Sequence, residues 1–315
     1  MLTFSSAVSP ISYSPLLNTT NSRSIDDTDL SIPASVEGSP FMLNGKYGAE
    51  KIPITSVLMN ALSGLADLAH LDHDRHIDAF HVPNLPDYTD VDIHLQPVAP
   101  DTDFEVQHAT LGIYFVIYNM ITKHTFRNCT FTLDYKDISL LQVTINKRPK
   151  PKYGLDANAQ NSSSSIPTSS PNSPTALSDK PGPIPHFEFV PGPEEALVPQ
   201  AVFIAMMATI KSVSTFPSTD IVQPFRAGAL GFNVRFQCMR MEKPRTEPPF
   251  LLYGHLVDVV RGIPGYMLRE RKWQGMMIVV TWGREEIIGE GVVDKGGLEL
   301  GGLGFDGTEG NVSVA

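Results

Sequence analysis

The densest run of chemically capable side chains is HLDHDRHIDAFH, residues 70–81, which holds four of the nine histidines. His70, His73 and His76 are spaced three apart. Imidazoles at that spacing can share part of a helix face, and Asp72 or Asp74 could complete a zinc or iron site. Such a centre would make the protein a hydrolase-like enzyme with its metal confined to the first half of the chain. Three observations weigh against it. The spacing follows no standard ligand pattern, and His76 would lie well around the helix from His70. The matching place in the second half offers Ser212, Ser214 and Thr215, with no histidine. The competing reading of His70 to His81 is a polar helix end and loop facing solvent. The expectation is therefore that no residue is assigned to a metal or a cofactor, that catalytic residues stay unassigned, and that the histidine-rich metal site is the alternative.

Other signatures of catalysis are missing. The chain has no Gly-x-Ser-x-Gly elbow, phosphate loop, His-Glu-x-x-His or Cys-x-x-Cys. The glycine-rich stretch GGLELGGLGFDGTEG has no helix after it to receive a phosphate. These absences favour a noncatalytic protein. Aromatic residues give a milder candidate: Tyr114 and Tyr118 are four apart, and Trp273 and Trp282 flank the last hairpin, so they could line a binding groove or fill the core. Cys129 and Cys238 sit among apolar neighbours and read as buried free thiols.

The elements that would hold these residues occur twice. Val57, Leu58, Ala61, Leu62 and Leu65 run beside Val202, Phe203, Met206, Met207 and Ile210 without a gap. Gly112, Tyr114, Phe115, Ile117, Tyr118 and Ile121 run beside Gly254, Leu256, Val257, Val259, Val260 and Ile263. This is an internal duplication, which predicts two similar lobes related by an approximate twofold axis.

Each unit opens on a proline, Pro53 or Pro199, ahead of apolar residues three and four apart, the pattern of a helix with one buried face. Alternation at Val91, Ile93 and Leu95, and at Phe232, Val234 and Phe236, predicts a strand with one wet face. A second helix is expected from near Thr110, or just after Pro249, with Gly262 and Pro264 stopping the latter. A hairpin closes each unit, Thr130 to Tyr135 with Leu140 to Ile145, and Met276 to Trp282 with Ile287 to Val293. The numbering offset grows between Gly112/Gly254 and Tyr135/Trp282, which predicts an excursion at RERKW after the second helix. The fold class is thus α+β, a tandem pseudo-symmetric repeat of helix-strand-helix-hairpin units with a mainly antiparallel sheet covered by helices. Joining the two three-stranded sheets edge to edge is the favoured assembly.

Composition sets the boundaries. Residues 1–50 and the glycine-rich tail 295–315 read as disordered, 51–148 and 197–294 as the repeat units, and 149–196 as a Ser/Pro-rich linker too poor in apolar side chains to offset ordering entropy. A formal net charge of −10 weighs against nucleic acid as a partner, and Lys147, Arg148, Lys150, Lys152, Arg269, Arg271 and Lys272 read as solvated charges at element ends. No apolar run is long enough to span a bilayer. The start lacks a basic, then apolar, signal pattern, so an intracellular site is expected, with secretion the alternative if the gene model is truncated.

VLMNALSGLADLAHLDHD, LPDYTDVDIHLQPV, FVIYNMI and PPFLLYGHLVDVVRGIPGYM resemble an uncharacterised duplicated-domain protein family of filamentous ascomycete fungi. The matching residues are Met59, Asn60, Ala61 and Leu62 of its "MNAL" helix, and Tyr253 and Gly254 of its "YG" helix start. The resemblance implies the same duplicated architecture and carries no activity. Together these readings lead to an expectation of a noncatalytic binding or protein-interaction module, a fused pseudo-dimer whose interlobe groove takes a protein or peptide.

Overall fold

A computed structural model describes residues 40–99, 102–136, 138–148, 182–191, 196–229, 231–239, 246–283 and 286–296. The first half runs β1 (Phe41–Lys51), α1 (Ile54–Ala69), β2 (His76–Ile77), β3 (Phe80–His81), β4 (Val91–Pro97), β5 (Phe104–Glu105), α2 (Val106–Thr122), β6 (Arg127–Tyr135) and β7 (Ile138–Lys147). The second runs β8 (Pro183–Phe189), α3 (Pro199–Val213), β9 (Phe225–Gly228), β10 (Arg235–Met239), α4 (Tyr253–Glu270), β11 (Met276–Trp282) and β12 (Glu286–Asp294). The protein is α+β, with antiparallel sheets and four helices.

One five-stranded sheet has the order β1-β6-β7-β4-β3, the other β8-β11-β12-β10-β9. Position for position, the two orders use the same successive elements of each half. β2 and β5 form a separate two-residue ribbon in the first half. In β4, Val91, Ile93 and Leu95 are buried while Asp92 and His94 are not, as alternation requires of a sheet with one covered face. In the second half this inward row is Val234, just ahead of β10, with Phe236 and Cys238 inside it, and Phe232 lies outside the strand.

Several expectations need correction. Each unit has a strand ahead of its first helix (β1, β8) and a further short strand ahead of the expected one (β3, β9), so the sheets have five strands rather than three. β1 starts at Phe41, inside the segment read as disordered, and β8 lies inside the segment read as linker. Both are edge strands that pair with a neighbour distant in sequence, which local composition cannot reveal: Leu43 faces Leu133, and Phe187 faces Ile278. The remainder of those segments, 1–39 and 149–181, and the tail 297–315 lie outside the described residues.

The sheets are not joined at their edges. Helices separate them: α1 touches α3 and α4, and α2 touches α3. Burial on two sides explains why α1 hides Ser56, Asn60 and Ser63 as well as its apolar stripe. A single amphipathic face was the wrong template for a helix with a sheet on one side and a second lobe on the other. Val57, Leu62, Val202 and Met206 are fully buried, each such side chain contributing about 1.5–3 kcal/mol over its exposed state.

The second helix also departs from its expected bounds. α2 starts at Val106, ahead of Thr110, and α4 continues through Gly262 and Pro264 to Glu270. Helix α4 ends where Arg271 adopts a left-handed conformation (φ 54°, ψ 33°), a cap that lets its amide reach back to the last carbonyls. With 17 and 18 residues the two helices match end to end. The additional length of the second half therefore precedes α4, and RERKW is a helix end and turn. At Gly112 a Cβ would stand 3.0 Å from Val143 Cγ2 and 3.1 Å from Leu141 Cδ1, so its absence sets how closely α2 lies on β7.

Candidate functional site at the seam between the lobes

Proline starts both unit helices: Pro53 is the N-cap of α1 and Pro199 the first residue of α3. Their first turns face one another across a shallow cleft with room for about one water molecule. One wall is Ile54, Thr55 and Leu58, and the other is Pro199, Gln200 and Phe203. In the ungapped match that sets Val57 beside Val202, these are the same three positions of the two units. The cleft therefore straddles the axis that would exchange the lobes. Leu268 of α4 and Trp273 beyond it close one end without a matching pair from the first half, which breaks the symmetry. Trp273 is tilted against Phe203 with ring centroids 6.1 Å apart, and its carbonyl accepts the Leu197 amide at 2.8 Å.

At the other end of α1 the seam is polar. His70 Nε2 lies 3.3 Å from Asp258 Oδ1 of α4, Arg261 Nη2 lies 3.2 Å from the same oxygen, and Arg261 Nη1 is 3.6 Å from Asp67. The hydrogen bond to Asp258 holds the His70 pKa above its ordinary value. Burial alone would raise the Asp258 carboxyl, but His70 and Arg261 outweigh it and leave its pKa lowered. Burial raises that of Asp67 and lowers that of the nearby His255. Gly254 lies close beside this cluster: a Cβ there would sit 3.1 Å from the Ser218 carbonyl oxygen and at ordinary contact distance, 3.5 Å, from His70 Nδ1. The charge spacing Asp258/Arg261, one helical turn, was the available sequence signal for this cluster. That it faces His70 was not readable.

The histidine-rich stretch is dispersed rather than gathered. His70 reaches across the seam, while His76 turns to Asp103 (3.1 Å) and Glu105 (3.8 Å) beside the β2–β5 ribbon. His81 pairs with His94 in the first sheet, with centroids 6.1 Å apart. Among the described residues no three His, Cys, Asp or Glu side chains are placed to hold one metal ion.

The aromatic candidates divide in the same way. Trp273 lines the cleft, whereas Tyr114 is buried beneath Lys211 (5.1 Å to its ring), Tyr118 meets Phe232 edge-on, and Trp282 lies against His255. Lys211 is largely enclosed at the α2–α3 contact, and burial lowers its pKa. Cys129 and Cys238 are buried free thiols with pKa values pushed up to about 12 by burial, unsuited to nucleophilic attack at neutral pH. Of the expected surface charges, Lys147 pairs with Glu50 at 3.4 Å and Arg148 with Asp92 at 3.7 Å.

Asn60 of the "MNAL" segment has a structural role. Fully buried, its amide donates to the Tyr88 carbonyl at 2.8 Å, and its oxygen accepts the Leu85 amide at 3.2 Å. It thereby pins the connection leading into β4.

No protein-family model matches the chain, and no curated protein matches it. Among solved structures it is similar to the tandem DUF26 ectodomain of the cysteine-rich receptor-like protein PDLP5 of Arabidopsis thaliana, at 11% identity over 80% of this chain and 98% of that one. The TM-score of 0.21 is too low for that likeness to support any functional statement.

Proposed function

We propose that the protein is a noncatalytic binding module, a fused pseudo-dimer produced by copying one module, whose interlobe seam offers its surface to a protein or peptide partner. The observation that carries this reading is the pairing of Ile54, Thr55 and Leu58 with Pro199, Gln200 and Phe203 as opposite walls. A largely apolar surface carrying two polar side chains, Thr55 and Gln200, suits contact with an apolar partner segment oriented by a few hydrogen bonds. Trp273 is the residue type found most often where such contacts carry binding energy. Divergence after copying leaves one lobe free to keep the scaffold while the other supplies the asymmetric end of the cleft.

Random peptides displayed on phage and selected on the immobilised chain test this. Peptides with an apolar anchor should be enriched, and Gln200→Arg, which fills the cleft mouth, should abolish their binding. Enriched peptides that bind the variant as tightly as the wild type would remove the cleft as the site.

A further inference from the structure

The outward faces of the two sheets differ at positions that the register makes equivalent. In the first sheet the residues pointing away from the helices are polar, as an antiparallel sheet with one wet face requires: Thr130 and Thr132 of β6, and Gln142 and Thr144 of β7. Matching the hairpins at Tyr135 and Trp282 puts Met277, Val279 and Val292 in the places of Thr130, Thr132 and Thr144. Ile184 of β8 and Ile287 of β12 extend this apolar surface, and Ile184, Met277 and Ile287 are 44%, 44% and 41% exposed. The fold does not need apolar residues there, since the first lobe forms without them. Their presence in the second lobe marks a face that another surface covers.

One row of this face is self-complementary in charge. Across β8, β11, β12, β10 and β9 the register aligns Glu188, Met277, Val292, Gln237 and Arg226. Glu188 and Arg226 are exposed at its opposite ends, and neither has an ion-pair partner among the described residues. Arg235, by contrast, is satisfied within the sheet by two bonds to Asp294, at 2.8 and 2.9 Å. A twofold axis running along β12, the central strand, exchanges the ends of the row. It sets Glu188 of each copy against Arg226 of the other, with the two Val292 side chains on the axis and each Met277 against a Gln237. In the next row Val279 meets Met239 of the other copy, and Glu290 on β12 meets its own counterpart, the one unfavourable contact.

We propose that the outward face of the second sheet is a self-association surface, on which a second copy of this chain packs sheet to sheet with Glu188 and Arg226 as reciprocal ion pairs. Sheets stacked in this way lie about 10 Å apart with their strands offset by about 30°, a gap that a glutamate and an arginine side chain span together. Five strands about 4.8 Å apart make a face about 20 Å wide, at the small end of specific interfaces, so the association is weak and concentration-dependent. The face lies on the far side of the sheet from α3 and α4 and does not depend on the seam cleft.

Sedimentation velocity of the full chain, from micromolar to near-millimolar concentrations, tests this. The wild type should pass from monomer to dimer. Glu188→Arg and Arg226→Glu should each weaken the dimer by more than about tenfold, because both reciprocal pairs become repulsive. An equimolar mixture of these two variants should dimerise again, since the mixed pair restores opposite charges at both ends. Met277→Thr, which installs the first lobe's residue, should also weaken the dimer, and Glu290→Gln should tighten it by about threefold or more by removing the like-charge contact on the axis. A chain that is monomeric at every concentration would overturn the proposal, and shielding of Met277 in that monomer would assign the face to another segment of the chain. A dimer indifferent to the charge reversals, to Met277→Thr or to Glu290→Gln would place the interface elsewhere and overturn it too. Glu188 and Arg226 are exposed, so both variants should keep the wild-type Tm, and failure of their mixture to dimerise would be equally decisive against it.

Discussion

His70, the residue that ends α1, lies 3.3 Å from Asp258 in α4, so one ion pair spans the boundary between the two halves of the chain. Both side chains are partly exposed, at 37% and 51%, and the pair is worth no more than about 1 kcal/mol. The seam is held chiefly by its buried apolar side chains. The pair confers a pH dependence on it.

The sign of that dependence follows from the shifts. The pKa of His70 is raised above 6.5, so its contribution is complete below that value and is lost as pH rises through the raised one. That of Asp258 is lowered below 3.8, so its contribution is lost as pH falls through the depressed value. His255 and His108 have lowered values and act in the opposite sense, so the comparison must be between variants. Urea denaturation of wild type and His70→Gln should differ most near about pH 5.5 and converge above about pH 8. A difference independent of pH would show that the pair does not titrate as described.

Asn60→Ala should destabilise the protein by about 1–3 kcal/mol, because the Leu85 amide and the Tyr88 carbonyl lose their buried partner. The midpoint of urea unfolding measures the loss, and limited proteolysis should show cleavage appearing between residues 84 and 90. Unchanged stability would mean that the connection into β4 is held by other contacts.

Gly64 touches Val82 closely enough that a Cβ would come 2.6 Å from Val82 Cγ2. Gly64→Ala should therefore cost about 1–3 kcal/mol through overpacking. Adding Val82→Ala should cost less in that background than in the wild type, a non-additive pair detectable in a double-mutant cycle. Additive losses would argue that α1 shifts to accommodate the methyl group.

Phe203 is 2% exposed, and its replacement by alanine should cost about 3–5 kcal/mol. Trp273 is only partly buried, so Trp273→Ala should cost less stability while removing the closed end of the cleft. Thermal denaturation separates the two: a Tm falling further for Trp273→Ala than for Phe203→Ala would contradict this ordering.

Cys129 and Cys238 should resist a thiol-specific reagent at neutral pH in the native protein and react on unfolding, since burial pushes both thiols up to about 12. Rapid modification of either native thiol would place it nearer the surface than described.

The sequence by itself determined the α+β class and several of its helices and strands. Spacing at Val57 to Leu65 and at Val202 to Ile210, and alternation from Val91 to Leu95, are local patterns dictated by helix and strand periods. It also located the closing hairpins, because the turns after Tyr135 and Trp282 are encoded within a few residues. It did not reveal β1 or β8, whose strand character rests on pairing with β6 and β11 far along the chain. Nor could it locate the end of α4, since Pro264 is a helix breaker only where neighbouring packing does not hold the helix together. The histidines at 70, 73 and 76 looked convergent because proximity in sequence was all that could be compared. Folding sent His70 to Asp258 and His76 to Asp103, and it brought Ile54 and Pro199 to one cleft. Which side chains meet across the seam depends on how two helical layers dock, and that is fixed by the summed packing of both lobes rather than by any single stretch of residues.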